Sequence, residues 1–294
     1  MHRQRTFFYL STLIWLALVM PLSQAKGVIP TPKLHKAQDI ERYYTRAMKG
    51  EQVILLENEL EQFYALTLEQ RTAEPKGGLL ILHDKGHSPD WPYLLQQTRN
   101  FMPNVGWSTL SIDLPTPQRD ALGRLSSSEA DTASAEPETF EQWQERVLER
   151  IATGIATLNQ DGLLNIALIG YGDGGYWASR YLAERLSEDE EQAYALILFD
   201  VSTEYDALPD YIAQLNIPML DLYMADSDFA HKRAQDRKAA AARNKAENYL
   251  QIHDASRQQT YGNATIDRST RRVWGWLRNN AAGAEANAVE KEAP

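Results

Sequence analysis

The stretch Asn165-Ile166-Ala167-Leu168-Ile169-Gly170-Tyr171-Gly172-Asp173-Gly174-Gly175 decides the architecture. A short apolar run ends in closely spaced glycines and passes into a segment with helical periodicity over about 175–187. This is the strand–sharp turn–helix context of a G-x-S-x-G nucleophile elbow, in which flanking glycines permit a tight turn and a close helix. Gly170 and Gly174 take the flanks, so Gly172 stands where serine is expected. Glycine has no side chain with which to attack a carbonyl. Asp173 as the nucleophile would shift the register by one and put Tyr171 where a small residue belongs. The glycines do not form a phosphate-cradling loop, because neither G-x-x-x-x-G-K-[ST] nor Gly-x-Gly-x-x-Gly after the first parallel strand occurs.

Outward from the elbow, apolar runs alternate with helical patterns. Val53–Leu56 and Phe63–Leu68 read as an antiparallel pair of strands, and Gly78–His83, Trp107–Ile112, Asn165–Ile169, Tyr194–Val201, Pro218–Tyr223 and Tyr249–Ile252 read as later strands. Phe140, Trp143, Val147, Ile151, Ile155 and Leu158 recur at steps of three and four, one face of a helix. Further helices are predicted at about 229–247 and 267–278. Alternation of this kind requires a mostly parallel sheet with helices on both faces, here with antiparallel strands at the N-terminal edge. Sites in such sheets form at the carboxyl ends of the strands.

The remaining members of a hydrolytic triad follow the elbow in the order acid, histidine. Asp226 or Asp228, after the Ile217–Tyr223 run, can hold the acid position. The histidine is expected several residues past the last strand, near Arg257, and arginine cannot act as a base. His253 comes too early, against the strand itself. Two of three triad roles are therefore unfilled.

These residues resemble the α/β-hydrolase superfamily. More closely, they are similar to domain of unknown function 3530, a family of exported bacterial proteins. The resemblance rests on Gly78–Asp84, on Pro89-Asp90-Trp91-Pro92, on Gly106–Pro115, on the glycines at 170–175 and on Ile217-Pro218, and it covers most of residues 40–280. It implies an α/β-hydrolase-like sheet and export from a Gram-negative cell, and it implies no particular reaction.

The 294 residues carry 40 acidic and 30 basic side chains, a formal charge of −10, with 43% hydrophobic residues. That composition supplies a core and withholds the basic face a general nucleic-acid binder needs. The absence of cysteine excludes disulfides, thiolate metal sites, cysteine nucleophiles and a lipoprotein anchor. Arg3 and Arg5, the mostly apolar Phe7–Met20 and then Ser23-Gln24-Ala25 read as a signal peptide cleaved near Ala25. The apolar stretch is short for a span. Cleavage leaves a periplasmic chain with no stable membrane span and a charge of −12, since residues 1–25 hold two basic and no acidic residues. Residues 26–280 are expected to form one domain with a flexible insertion at 116–139, and 281–294 a disordered tail.

Two functions follow. The first is a catalytically silent α/β-hydrolase-like protein that binds a small molecule or an envelope protein in a cleft around His83, Asp84, Gly172, Asp173 and Gly174, extending to Asp228. The second is a hydrolase of ester or glycan substrates with unusual chemistry, using Asp173 or a water activated by His83, with Asp226 or Asp228 as further catalytic candidates. No cofactor and no metal is assigned. A metal on His83 and His87 with Asp84 or Asp90 needs a converging third ligand, and hydrogen bonds that order the loop explain these residues more simply. Asp90 is expected to cap a helix with Pro92 in its first turn. Lys232, Arg233, Arg237, Lys238, Arg243 and Lys245 are expected on a solvated basic face, and Trp274 and Trp276 in packing.

Overall fold

A computed structural model describes residues 46, 52–92, 94–116, 138–187, 189–244, 248–254 and 266–281. Eight strands run β1 (Val53–Glu57), β2 (Gln62–Leu68), β3 (Gly77–Leu82), β4 (Trp107–Ile112), β5 (Ile166–Tyr171), β6 (Tyr194–Phe199), β7 (Met219–Tyr223) and β8 (Tyr249–His253). The helices are α1 (Leu94–Phe101), α2 (Phe140–Gln160), α3 (Asp173–Arg185), α4 (Leu208–Ile212), α5 (Asp228–Arg243) and α6 (Arg268–Asn280). The predicted strands are all present, within a residue or two of their expected ends. The five-residue α4 has no periodicity of its own and was not foreseeable.

The strands form one sheet in the order β1-β2-β4-β3-β5-β6-β7-β8. β1 and β2 are antiparallel to their neighbours, and every pairing from β4 to β8 is parallel. Because side chains alternate along a strand, β3 sends Leu80 and Leu82 to one face and Leu79 and Ile81 to the other. The first face packs against α2 through Trp143, Val147 and Ile151 and against α3 through Trp177 and Leu182. The second packs against α1 through Leu95 and α6 through Val273, Trp276 and Leu277. Each such fully buried aliphatic side chain contributes about 1.5–3 kcal/mol.

Two expectations are corrected here. Asp90 does not cap a helix: α1 starts at Leu94, and the Asp90 carboxylate pairs with Arg99 at 2.8 Å and accepts from Gln96 at 2.9 Å. The basic face of α5 is not wholly solvated. Arg237 is 3% exposed and binds Asp221 of β7 through two guanidinium nitrogens, at 2.7 and 3.1 Å. Trp276 is buried, and Trp274 packs against the same cluster, edge-on to Phe101. The insertion, apart from its edges at Thr116, Glu138 and Thr139, lies outside the described residues, as do the tail beyond Ala281, the signal segment and Arg257. Thr139 itself caps α2, its hydroxyl accepting the Gln142 N–H while the Gln142 side chain accepts the Thr139 N–H.

Candidate functional site

The site follows from sheet register. β3 and β5 are adjacent and parallel, with Leu82 opposite Gly170. Each chain then leaves the sheet in the same direction, so residues two beyond the pair, Asp84 and Gly172, meet above the strand ends. Gly172 links β5 to α3 with φ +56° and ψ −121°, a conformation that L side chains rarely adopt. A side chain grown from Gly172 would fall on the Asp84 carboxyl group. A carboxylate from the β3 loop thus occupies the space that a nucleophile on β5 would fill.

Asp84 is held there by two amides. Its Oδ1 accepts the N–H of Asp173 at 2.7 Å and that of Lys85 at 2.8 Å. The first donor is the residue after the nucleophile position, and the second lies in the loop after β3. These are the two places from which this fold type draws its oxyanion-hole N–H groups. The N-terminus of α3 supplies a favourable dipole for the same charge. The elbow therefore holds an internal carboxylate where a substrate oxyanion would bind. Gly170 allows this turn to close, since a methyl group there would collide with the backbone of Gly174 and Gly175.

Asp173 opens α3 and is 7% exposed. Its Oδ2 accepts from the Tyr205 hydroxyl at 2.8 Å. Burial pushes its carboxyl above the usual range and the Asp84 charge adds to this, against the stabilising Tyr205 hydroxyl. Tyr205 stacks on Tyr176, centroids 3.9 Å apart, and burial together with Asp173 pushes its hydroxyl up strongly.

Both ring nitrogens of His83 are engaged by backbone groups, and Nε2 also lies 3.5 Å from an Asp113 carboxylate oxygen. His83 is 2% exposed, its Nδ1 lies 2.7 Å from the Asp84 carbonyl oxygen, and its Nε2 accepts the Leu114 N–H at 2.8 Å. The proton therefore resides on Nδ1, and the ring ties the β3 loop to the end of β4. His87 stacks on Trp91, 3.5 Å between centroids, and burial lowers its pKa. With His83 bonded to backbone and Asp90 to Arg99, these residues do not converge as metal ligands.

Beside the elbow lies a cavity of about 260 Å³. Leu114, Phe140, Trp143, Val147 and Trp177 form its apolar wall, while Asp84, Asp173 and Tyr205 present polar groups and Lys85 stands at the mouth with its side chain 60% exposed. The proposed cleft residues His83, Asp84 and Asp173 line it, and Gly172 and Gly174 form the turn beneath. Asp226 and Asp228 do not line it. Asp226 is exposed and pairs with His231 at 3.0 Å, and Asp228 is the exposed first residue of α5. Sequence reasoning placed Asp84 in the cleft but not in the nucleophile's space. The signal was present in the equal two-residue offsets from Leu82 and Gly170, and became readable once β3 and β5 were known to be neighbours.

Solved structures share this architecture. An esterase from Pyrococcus furiosus is 11% identical, with 78% of this chain and 90% of that one covered and a TM-score of 0.56. A dienelactone hydrolase from Anabaena variabilis is 14% identical, with 78% and 97% covered and a TM-score of 0.55. At these identities the likeness is one of fold, α/β-hydrolase-like. No curated protein matches the chain. Residues 19–279 match the family described as protein of unknown function (DUF3530), and the chain belongs to that family.

Proposed function

We propose that this protein is an exported α/β-hydrolase-fold protein without serine-type catalysis, whose cleft binds a small amphipathic ligand. The observation that carries the reading is the Asp84 carboxylate, which takes the Asp173 N–H and fills the space above Gly172. A substrate carbonyl entering the elbow would have to displace a charge-assisted hydrogen bond and would find no nucleophile. The cavity keeps an apolar wall suited to an alkyl or aromatic body. Its inner polar groups are two carboxyls and a phenol, which favour a ligand with a hydrogen-bond donor or a positive charge at its head. The basic n-region, apolar stretch and small-x-small site of residues 3–25 support export to the periplasm.

Binding is tested by titrating phenethylamine and phenylacetate while following tryptophan fluorescence, since Trp143 and Trp177 line the cavity. The amine should bind more tightly than the acid, and Asp84→Asn and Asp173→Asn should each reduce that preference. Tighter binding of phenylacetate, unaffected by these variants, would refute the assigned head-group chemistry.

A second reading has its own support. The raised Asp173 carboxyl stands beside the Asp84 carboxylate, and neighbouring carboxyl groups in different environments are a recurrent acid–base arrangement. In that reading the protein hydrolyses ester or glycan substrates, with Asp84 as base or nucleophile and Asp173 as acid. Turnover lost in both Asp84→Asn and Asp173→Asn would establish it over the binding role.

A further inference from the structure

At the carboxyl ends of β7 and β8, outside the lining of the cavity, three potential ligands converge. Asp226 comes from the turn after β7, His231 from the first turn of α5, and His253 from the last position of β8. One ligand atom from each lies within 4.8 Å of the others. We propose that Asp226, His231 and His253 bind a divalent transition-metal ion of the zinc type.

The two imidazoles are held by a shared aromatic platform. His253 stacks on Tyr223 with centroids 4.7 Å apart, and His231 meets the Tyr223 ring edge-on at 5.8 Å. The two histidine rings lie 4.8 Å apart and nearly perpendicular. Ser227 fixes the start of α5 by accepting the Ala230 N–H, which sets the approach of His231.

The Asp226–His231 contact alone is an ordinary surface pair, 3.0 Å long with the Asp226 side chain 75% exposed. It leaves His253 unexplained. The Nε2 atom of His253 is shielded from solvent and has no hydrogen-bond partner among the described residues. A buried ring nitrogen without a partner is costly, and a metal ion that accepts its lone pair removes that cost.

The ligand set defines the ion. Imidazole nitrogens suit zinc, nickel, copper and iron, whereas magnesium and calcium prefer all-oxygen sites. Bonds of about 2.0–2.1 Å in tetrahedral geometry place ligand atoms about 3.4 Å apart. Binding therefore needs the longest separation to shorten by up to about 1.4 Å, to which the exposed Asp226 contributes by a change of rotamer. Three protein ligands leave a coordination position for water, as in sites that keep an open position rather than closed structural ones.

The test uses the untagged full-length chain, titrated calorimetrically with zinc chloride and, separately, magnesium chloride. One zinc ion per chain should bind at micromolar concentration or tighter, with no magnesium binding at the same level. Asp226→Asn, an exposed change that does not threaten folding, and His231→Gln and His253→Gln should each weaken zinc by more than tenfold, since loss of even an outer partner costs about 10–100-fold. Cobalt loading should give visible ligand-field bands that vanish in the double histidine variant. Equal zinc affinity in wild type and all three variants, or no zinc binding at micromolar concentration by a folded wild type, would overturn the assignment.

Discussion

The carboxylate of Asp84 accepts the backbone N–H of Asp173 at 2.7 Å, directly above Gly172. An acid from one strand end therefore completes the turn at the next, and the elbow is satisfied without any ligand. Aspartate at 84 requires glycine at 172, because any side chain at 172 competes for the volume that the carboxylate fills.

That dependence predicts non-additive stabilities. Gly172→Ser should destabilise by about 1–3 kcal/mol from its positive φ alone, and by more from collision with Asp84. Asp84→Gly should cost about 0.5–2 kcal/mol, the range for loss of a helix-capping acceptor. The double variant should be more stable than the sum of the two losses predicts, since deleting Asp84 clears the space for serine. Urea denaturation of the four proteins measures the coupling, and simple additivity would mean that the two residues do not compete.

The raised Asp173 carboxyl gives a pH dependence with a definite sign. In the unfolded chain an aspartate titrates near about 3.9. The folded protein holds this proton more tightly, so Asp173 lowers stability as pH rises from about 4 through its native value, with no further change above it. Asp173→Asn can still accept from Tyr205 but does not titrate. Relative to wild type, the variant should gain stability as pH rises across that interval, as read from denaturation midpoints between pH 4 and 8.

Asp221 and Arg237 form a buried ion pair beneath α5, with Tyr249 at 2.6 Å and Gln251 at 2.8 Å also donating to the carboxylate. Arg237→Met should destabilise by about 3–5 kcal/mol, because it leaves Asp221 charged and fully buried. Asp221→Leu combined with Arg237→Met should recover part of that loss. Thermal denaturation of the single and double variants distinguishes this network from a dispensable contact.

Cleavage of the proposed signal peptide can be tested by N-terminal sequencing. Chain recovered from the periplasmic fraction of an expressing Gram-negative cell should begin at Lys26. An intact Met1 on membrane-bound protein would indicate a retained anchor instead.

The legibility of the sequence divides along physical lines. The strands of the sheet could be read because fully buried parallel strands are continuous apolar runs such as Leu79–Leu82, and the elbow because its glycines are local in sequence. Asp84 was placed in the cleft, yet its task depends on the parallel pairing of Leu82 with Gly170, which no local pattern encodes. Arg237 looked solvated because five other basic residues surround it in sequence. Its clue was Asp221, an acid inside the apolar run Met219–Tyr223 that needs a buried partner. His231 carries no local signal, for its relation to His253 arises from the neighbouring ends of β7 and β8 and from the ring of Tyr223 that both contact. Local chemistry was readable, and partnerships across strands became so only with the topology.

The most direct test of the self-occupied elbow is hydrolysis of p-nitrophenyl acetate and butyrate by the wild-type protein, beside Asp84→Asn and Asp173→Asn. Rates for all three at the buffer background are predicted. Wild-type turnover above background would contradict the account, and its loss in both variants would assign the two carboxyl groups to catalysis.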